Sequence, residues 1–529
     1  MAKLESSIFF CQVAVASALI SSAVTTFYWS RRRKKNENKK KEKEKVVTSC
    51  QDYENGSSNS NDDNNNKIHE LLNFTTPIDR SGIYSVKHDL IMPPGSSSTN
   101  QATPIQMWVA DMDLPLAPFI QQRLINRSKH SAGVGYTFQP LEGWTALAEW
   151  LHHHHQWTVH PDEMIFSASV VTSFANIVRE FTSLGDAILV MTPLFCPLQN
   201  AITQCHRTLI RHSLTLKPSS STINGNTNNV RHPQEQQQQY YIDFDLLQDQ
   251  LDSKDIKIIL LCNPHNPSGR VWTKSELQKL IQLCTERNIL IVSDEIWCDW
   301  VLSWSPSQYT PLASLLPRVN GDSKQQKMEG KKKTPLTPRC ITLLGPGKTW
   351  NLAGLHCSVV IIQHEETRQR YQNYAEPAFL HFGSAFATEA LLSYKDDKDN
   401  KNITPSGKEY HHRGQAWLER TKHHVEENIQ LLIKFCHNSS KKSTSLQPSK
   451  LQVIRPDATY LVWIDCSGMK YPSKTQALLA EKAGVILSNG NEFSPETEHF
   501  VRMNVACSKQ KFVQALEQIQ KVLLLEDFI

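Results

Sequence analysis

Three short segments of this chain carry side chains that together suit the chemistry of an aldehyde cofactor. Asn266 lies in the run Asn-Pro-His-Asn-Pro-Ser-Gly, Asp294 in Ser-Asp-Glu-Ile, and Lys348 in Gly-Lys-Thr-Trp-Asn-Leu-Ala-Gly-Leu. A lysine amine forms a Schiff base with an aldehyde, a carboxylate keeps a pyridine nitrogen protonated, and an amide binds a phenolic oxygen. Pyridoxal 5'-phosphate (PLP) offers all three groups. The sequence therefore predicts a PLP enzyme in which Lys348 holds the cofactor and acts as the catalytic residue.

Short apolar runs surround these segments and predict the elements that position them. Such runs are typical of strands buried on both faces of a parallel sheet. Between two of them, Thr273 and Glu276 form a capping box that begins a helix. Asp294 directly follows one predicted strand, at the carboxyl edge where open α/β sheets bind ligands. The predicted strands lie at residues 187–191, 256–262, 289–293, 341–344 and 359–362.

The last part of the chain has a different pattern, which predicts a smaller α+β domain. A long amphipathic helix is predicted at 415–436, before strands at 458–466 and 500–506 and helices at 474–483 and 509–524. The predicted domains are an N-terminal transmembrane anchor at 1–30, a disordered basic and Asn-rich linker at 31–66, an N-terminal segment joining the small domain at 67–115, a large PLP-binding domain at 116–378, and a C-terminal small domain at 379–529.

Composition excludes a nucleic-acid-binding body. The formal net charge of the 529 residues is +5, but residues 31–45 alone hold ten basic and three acidic side chains, so the remainder is slightly acidic. The positive charge therefore belongs to one tract and not to a binding surface. The twelve cysteines form no CxxC pair, which favours free buried thiols in a reducing compartment.

The amino terminus carries an apolar run long enough to cross a bilayer. Residues 8–29 are almost uncharged and are followed by Arg-Arg-Arg-Lys-Lys. Because basic flanks stay on the cytoplasmic side, the pattern predicts a single membrane anchor with the catalytic domain in the cytosol. A cleaved signal peptide is the alternative, although its charge usually precedes the apolar run.

Seven motifs, in order, resemble those of fold-type I PLP-dependent enzymes of the class I/II aminotransferase superfamily, and within it the MalY/PatB group of cystathionine β-lyases. The resemblance implies a large domain with a mostly parallel seven-stranded sheet and a smaller α+β domain. The motifs are Met-Trp-Val-Ala-Asp-Met-Asp (107–113), Gly-Tyr-Thr (135–137), Cys-Asn-Pro-His-Asn-Pro-Ser-Gly-Arg-Val-Trp (262–272), Ser-Asp-Glu-Ile (293–296), Lys-Thr-Trp-Asn-Leu-Ala-Gly-Leu (348–355), Thr-Tyr-Leu-Val-Trp-Ile-Asp (459–465) and Arg-Met-Asn-Val-Ala-Cys (502–507).

The resemblance also implies roles for individual residues. Phe195 matches the aromatic ring that stacks on the cofactor, and the backbone amides of Val170 and Val171 match its phosphate cradle. Arg502 resembles the arginine that clamps the substrate α-carboxylate. Tyr136 resembles a tyrosine that reaches into the neighbouring subunit's site, which implies a homodimer with shared active sites.

Two departures from the family pattern affect the expected cofactor contacts. Trp297 stands where the family usually has histidine; its indole N–H is expected to donate to the phenolic oxygen but cannot exchange a proton. Glycine at 345 and 347, with proline between, replaces the usual phosphate-binding serines. The histidine tract at 152–155 lies outside every motif, and we assign it to a solvated helix end and predict no metal site.

These features together predict a carbon–sulfur β-lyase that cleaves cystathionine or another L-cysteine S-conjugate to a thiol, pyruvate and ammonia. A PLP-dependent aminotransferase for aromatic or related amino acids is the alternative, since both enzymes need the same cofactor residues. A non-catalytic regulator on the same fold is a third possibility, which the presence of Lys348, Asp294, Asn266 and Arg502 disfavours.

Overall fold

The computed structural model describes residues 73–90, 103–131, 141–218, 238–318, 339–375, 402–403, 409–410, 413–440 and 451–524. All of them belong to the second of the two units into which the chain divides, Leu71–Ile529. The apolar run at 8–29, the linker at 31–66 and Tyr136 lie outside the described residues.

Eleven α-helices occur in the described part of the chain. They are α1 (Pro118–Ser128), α2 (Leu141–His155), α3 (Val170–Phe181), α4 (Cys196–Gln204), α5 (Phe244–Ser253), α6 (Lys274–Glu286), α7 (Pro346–Thr349), α8 (Glu365–Tyr374), α9 (Arg413–Ser440), α10 (Thr475–Leu478) and α11 (Lys509–Leu523). Shorter 3₁₀ or π turns are Val86–Leu90, Pro161–Glu163, Cys298–Trp300, Leu312–Leu315, Ala353–Leu355, Pro472–Lys474, Leu479–Ala483, Gly490–Glu492 and Pro495–Thr497.

Seventeen strands occur in the same ranges. They are β1 (Ile105–Gln106), β2 (Met164–Ser167), β3 (Ala187–Thr192), β4 (Thr208–Ser213), β5 (Thr215–Pro218), β6 (Gln238–Tyr241), β7 (Ile256–Cys262), β8 (Leu290–Asp294), β9 (Cys340–Leu344), β10 (Ser358–Ile361), β11 (Asn402–Ile403), β12 (Glu409–Tyr410), β13 (Gln452–Ile454), β14 (Leu461–Asp465), β15 (Val485–Ile486), β16 (Ser488–Asn489) and β17 (Phe500–Asn504).

The large sheet has seven strands in the order β2-β10-β9-β8-β7-β3-β4. Only β10 is antiparallel to its neighbours, so the predicted mostly parallel seven-stranded sheet is confirmed. Alternate residues point to opposite faces of a strand. One apolar core accordingly holds Leu189, Ile259 and Ile291, and the core on the other face holds Ile188 and Ile258. Burial on both faces explains why these strands read as continuous apolar runs.

The capping box predicted before the helix at 274–286 is present. The Thr273 hydroxyl accepts from the Glu276 amide at 3.2 Å, and the Glu276 carboxylate accepts from the Thr273 amide at 2.7 Å. The buried face of α6 includes Leu277, Leu280 and Leu283, whereas Ile281 is only half-buried.

A smaller antiparallel sheet with the order β13-β14-β17-β16 lies in the C-terminal part of the chain. The segment before α1 joins this part, because β1 pairs in parallel with β15 through Ile105 and Val485. Strand β17 carries Arg502, which the pairing aligns with Trp463 of β14 and Ser488 of β16.

The prediction that one membrane-spanning helix anchors the protein is wrong for the structure as described. No helix among the described residues is both long enough and apolar enough to cross a bilayer. The longest, α9, has 28 residues, but charged side chains such as Arg420, Lys422 and Glu427 recur along it. Such a helix buries one stripe against a core and exposes the rest to water.

The loop after β7 docks on the C-terminal part of the chain through Gly269. Its carbonyl oxygen accepts from the amides of Asp457 at 3.0 Å and Ala458 at 2.9 Å. Its φ of +71° lies in the left-handed region, and a Cβ there would overlap Pro456 and lie 2.8 Å from the Ala458 carbonyl oxygen. Only glycine fits this approach, which fixes the loop that carries Asn266.

We expect Gly269→Ala to lower the free energy of unfolding by about 3 kcal/mol, because left-handed strain adds to a clash with backbone. Gly185→Ala is the matched control. Gly185 also has a positive φ, +84°, but nothing lies within 4 Å of its would-be Cβ, so that variant should lose only about 1 kcal/mol. Denaturant unfolding of both variants measures the difference; equal losses would contradict the role of the close approach.

Candidate functional site

Four of the predicted site residues meet at one edge of the large sheet. Strands β3, β7, β8 and β9 are parallel neighbours, so their carboxyl ends share an edge. Phe195 follows β3, Asn266 follows β7, Asp294 ends β8, and Lys348 lies on the short helix α7 just after β9. The same topology brings the start of α3 to this edge, since β2 runs in the direction of β9.

Lys348 is the cation at the centre of this edge. Its Nζ donates to the carbonyl oxygen of Ala110 at 2.7 Å and lies 5.6 Å from the centre of the Trp297 ring. Burial of the ammonium lowers the Lys348 pKa to about 8, and the positive charge of Arg502 acts in the same direction. Two carboxylates, Asp111 and Asp294, oppose this shift only in part. A large fraction of Lys348 is therefore unprotonated at mildly alkaline pH, as a nucleophile or base must be.

Asp294 supplies a carboxylate that lacks a cationic contact among the described residues. Its side chain accepts from the Ile296 amide at 3.3 Å, and the Cys262 thiol lies 3.9 Å from its second oxygen. Burial raises the Asp294 pKa to about 6, against weaker lowering by the Ile296 amide and Lys348. A protonated pyridine nitrogen beside this carboxylate would return it to the ionised form.

Arg502 on β17 is a second buried cation, and none of the described carboxylates lies within 4.0 Å of it. Its terminal nitrogens donate to Asn266 Oδ1 at 3.0 Å, the Trp108 carbonyl oxygen at 3.0 Å and Ser488 Oγ at 3.1 Å. Its Nε has no hydrogen-bond partner, and burial lowers the Arg502 pKa to about 10. A buried guanidinium with a free N–H fits an anionic ligand such as a carboxylate.

Both cations donate hydrogen bonds to one segment, residues 108–111, whose role the sequence did not indicate. The Trp108 carbonyl oxygen accepts from Arg502, and that of Ala110 accepts from Lys348. The side-chain amide of Asn504 donates to the carbonyl oxygens of Val109 and Asp111, both at 2.6 Å. The segment was visible only as part of a family motif. Backbone carbonyls contact the site here, and they leave no residue-type signal.

Ion pairs hold this segment from the other side. Arg80 contacts Asp111 at 2.8 Å and Asp113 at 2.7 Å, and Lys87 contacts Asp113 at 3.1 Å. Lys511 of α11 pairs with Asp113 at 2.5 Å. Burial would raise the Asp113 pKa, but Lys87 and the other cations outweigh it and hold the pKa far below its usual range. The network therefore joins the N-terminal segment, the site segment and the last helix.

Tyr460 is a buried site residue that sequence reasoning missed. Its hydroxyl donates to the Ala110 carbonyl oxygen at 3.1 Å, the same acceptor that Lys348 uses. Its ring packs edge-on against Trp297 and Trp300, with centroids 4.8 Å away in each case. Trp300 in turn donates to the Lys348 carbonyl oxygen at 2.8 Å. The only signal in the sequence was its place in the Thr-Tyr-Leu-Val-Trp-Ile-Asp motif.

The start of α3 has the form of an anion cradle. Ser169 caps the helix by accepting from the Thr172 amide at 3.0 Å, which leaves Val170 and Val171 in the first turn with amides directed along the helix axis. The absence of serine at 345 has a steric reason, because a Cβ on Gly345 would lie 2.8 Å from the Cys357 carbonyl oxygen. Gly347 has more room, since its nearest would-be contact is 3.5 Å away.

The roles expected for Phe195, Trp297 and Asn266 stay predictions. Phe195 is half-buried at the start of α4, and Trp297 is buried beside Lys348. Asn266 contacts Arg502, so its expected contact with a phenolic oxygen stays a prediction. Taken together, a nucleophilic amine, a buried carboxylate, a helix N-terminus and a buried arginine with a free N–H fit a phosphorylated pyridine aldehyde and an α-amino acid.

Comparison with known proteins gives matches over most of the chain. The family model for aminotransferase class I and II matches residues 120–519. Cystathionine beta-lyase PatB of Bacillus subtilis is 28% identical over 453 residues, which are 85% of this chain and all of that protein. The crystal structure of a PLP-bound putative aminotransferase from Clostridium difficile 630 matches with a TM-score of 0.65 and 29% identity, over 85% of this chain and 100% of that one. Cystalysin from Treponema denticola, which contains PLP, matches with a TM-score of 0.68 and 25% identity, over 86% and 99%.

We expect the apoprotein to attach PLP covalently at a rate that rises with pH through about 8, the lowered pKa of Lys348. The amine attacks an aldehyde only when it is unprotonated, so the rate falls below that pH. Replacing Arg502 with Gln removes a repelling charge, raises the Lys348 pKa and moves the midpoint to higher pH. Borohydride trapping at timed intervals measures the rate, with Lys348→Ala as the control that traps nothing. A midpoint that does not move in Arg502→Gln would contradict the electrostatic coupling.

Proposed function

The chain belongs to the aminotransferase class I and II family, and we propose that within it the protein is a PLP-dependent carbon–sulfur β-lyase. The predicted resemblance to fold-type I PLP enzymes and to the PatB and MalY lyases is confirmed. The observation that carries the proposal is the match to a cystathionine β-lyase along that protein's entire length. The substrate class is an L-cysteine S-conjugate such as cystathionine, and PLP is the cofactor, as predicted.

The residues at the sheet edge divide the work of holding the cofactor. Lys348 would hold its aldehyde carbon, Asp294 would pair with its ring nitrogen, and the amides of Val170 and Val171 would receive its phosphate. Phe195 would support the ring face. Asn266 and Trp297 would donate to the phenolic oxygen. When bound, PLP supplies an electron-accepting ring that stabilises negative charge on the substrate α-carbon.

The chain's own groups perform the remaining steps. Arg502 holds the substrate α-carboxylate with its planar fork, and its free Nε–H supports this assignment. Lys348 would accept the substrate α-proton at its Nζ, because its lowered pKa of about 8 keeps a useful share of the amine unprotonated. The carbon–sulfur bond then breaks, the electron pair leaves with the thiolate, and hydrolysis of the remainder gives pyruvate and ammonia.

We also infer a two-domain arrangement and a homodimer. The division into an N-terminal segment at 67–115, a large domain at 116–378 and a small domain at 379–529 is supported by the pairing of β1 with β15 and by the two separate sheets. Tyr136, which lies outside the described residues, is proposed to contact the substrate bound in the partner's site. An amino-acid substrate and a dimer are typical of the family.

Incubation of the purified full-length chain with cystathionine tests the function. We expect free thiol and pyruvate in equal amounts without any added 2-oxo acid, from a protein whose mass by light scattering is that of two copies. Lys348→Ala is the inactive control. A requirement for a 2-oxo acid acceptor before any turnover would instead favour the aminotransferase, and failure of the wild-type chain to take up PLP would favour the non-catalytic regulator.

We expect Tyr460→Phe to lower kcat about fivefold, since loss of one hydrogen bond, about 1 kcal/mol, frees the Ala110 carbonyl to which Lys348 donates. That carbonyl then accepts from the ammonium alone, so the Lys348 pKa rises and the acid limb of the pH–rate profile moves to higher pH. The matched control is Tyr240→Phe, a buried tyrosine whose hydroxyl contacts Trp463 Nε1 at 3.2 Å. If the acid limb of the pH–rate profile were unchanged in Tyr460→Phe, Tyr460 would contribute packing only.

A further inference from the structure

A cavity of about 210 Å³ is lined by residues that the proposed lyase mechanism does not use. It lies beside the 3₁₀ turn Cys298–Trp300 that follows β8, with the last turn of α2 and the first half of α9 around it. Its walls carry nitrogen, sulfur and oxygen donors together. The donor residues that line it are His154, His155, Cys298, Asp299 and Glu419.

Three of these donors lie close together. One atom each from His155, Cys298 and Asp299 lies within 4.8 Å of the other two. Tetrahedral zinc at about 2.0–2.3 Å from its ligands needs ligand separations of about 3.5 Å, so the three side chains must adjust their positions when the ion binds. Cys298 and Asp299 are buried, and the His155 side chain is only 9% exposed. These are built positions and not mobile surface groups.

The charges at this point also suit a dication. The Asp299 carboxylate accepts from Trp150 Nε1 at 2.9 Å and from the Thr349 hydroxyl at 2.7 Å, and its Oδ1 lies 2.8 Å from His155 Nε2. The Cys298 thiol lies beside this carboxylate. A divalent cation would ionise the thiol, and its charge would then be cancelled by one thiolate and one carboxylate, with a neutral imidazole.

We propose that His155, Cys298 and Asp299 form a binding site for a zinc-like divalent transition-metal ion, separate from the PLP site. A mixed imidazole, thiolate and carboxylate set selects such an ion over magnesium or calcium, which prefer oxygen ligands. The ion replaces the 2.8 Å hydrogen bond between His155 Nε2 and Asp299 Oδ1. Water from the cavity supplies the fourth ligand. Binding exchanges the thiol proton for the metal and requires no redox partner.

The four histidines at 152–155 fall into an exposed pair and a partly buried pair. His152 and His153 are exposed, as the interpretation of a solvated helix end requires. His154 and His155 are partly buried and line the cavity, and the His154 ring lies 3.6 Å from the Trp150 ring between centroids. The solvated interpretation is therefore kept for the first two histidines only. The exposed pair provides a matched control from the same four residues.

The site has a direct connection to the catalytic helix. The hydroxyl of Thr349, the residue after Lys348, donates to Asp299 Oδ2 at 2.7 Å. Trp300, the residue after Asp299, donates to the Lys348 carbonyl oxygen at 2.8 Å. Through these two hydrogen bonds, occupancy of the metal site affects the position of the turn that carries Lys348. The existence of the metal site does not depend on the lyase activity.

Cobalt(II) binding to the chelator-treated, PLP-loaded full chain tests the proposal. We expect one cobalt per chain by calorimetry. We also expect visible d–d bands typical of tetrahedral coordination, at wavelengths longer than the cofactor absorption. His155→Gln should weaken binding at least tenfold, and Cys298→Ser should change the d–d bands because it removes the sulfur ligand. His153→Gln, exposed in the same tract, should bind as the wild type does. Thermal melts in the absence of metal establish that each variant is folded.

Two results would overturn the site. In the first, the wild-type chain binds no more cobalt than the His155→Gln, Cys298→Ser double variant, so that His155 and Asp299 form only a structural hydrogen-bonded pair. In the second, His153→Gln abolishes binding while Cys298→Ser leaves the spectrum unchanged, so that exposed histidines hold the ion. Zinc competition followed by elemental analysis of the washed protein then identifies the preferred ion among those that displace cobalt.

Discussion

The structure depends on holding two cations, the half-buried Lys348 and the buried Arg502, at one edge of a sheet with no described carboxylate within 4.0 Å of either. Desolvation of both is costly, and their mutual repulsion adds to the cost. The chain offsets this with neutral acceptors: the backbone carbonyl oxygens of Trp108 and Ala110 and the amide oxygen of Asn266. Carbonyl dipoles stabilise a cation without neutralising it. The two groups therefore remain able to bind an aldehyde and a carboxylate, which a salt bridge would prevent.

The large sheet and the main site residues were predictable because their signals are local. Continuous apolar runs indicate strands buried on both faces, and Asp294 and Lys348 stand directly after such runs. The start of α6 was predictable for the same reason, since the capping box of Thr273 and Glu276 depends on residues only three positions apart. The roles of these residues then followed from family motifs, which record chemistry at fixed spacing.

What the sequence did not predict arises from contacts between distant segments. The supporting role of residues 108–111 comes from backbone carbonyls, which any residue type provides. Tyr460 belongs to the site only because β14 brings its hydroxyl to Ala110. The tract at 152–155 was assigned as a unit to solvent, but the helix turns two of its histidines inward. The membrane prediction, which used an apolar run alone, was also wrong: no described helix has the required length and apolarity together.

The ion network around Asp113 has a consequence for how the protein is made. Arg80, Asp113 and Lys511 come from opposite ends of the catalytic region, and Arg502 reaches the Trp108 carbonyl across 394 positions of sequence. Contacts of such sequence separation form late, because their closure entropy must be overcome first. The PLP site cannot be complete while the last helix, α11, is still within the ribosome. We therefore expect the PLP site to be complete only after α11 has been synthesised. A chain that ends before α11 would retain Lys348 but lack the ion pair between Lys511 and Asp113.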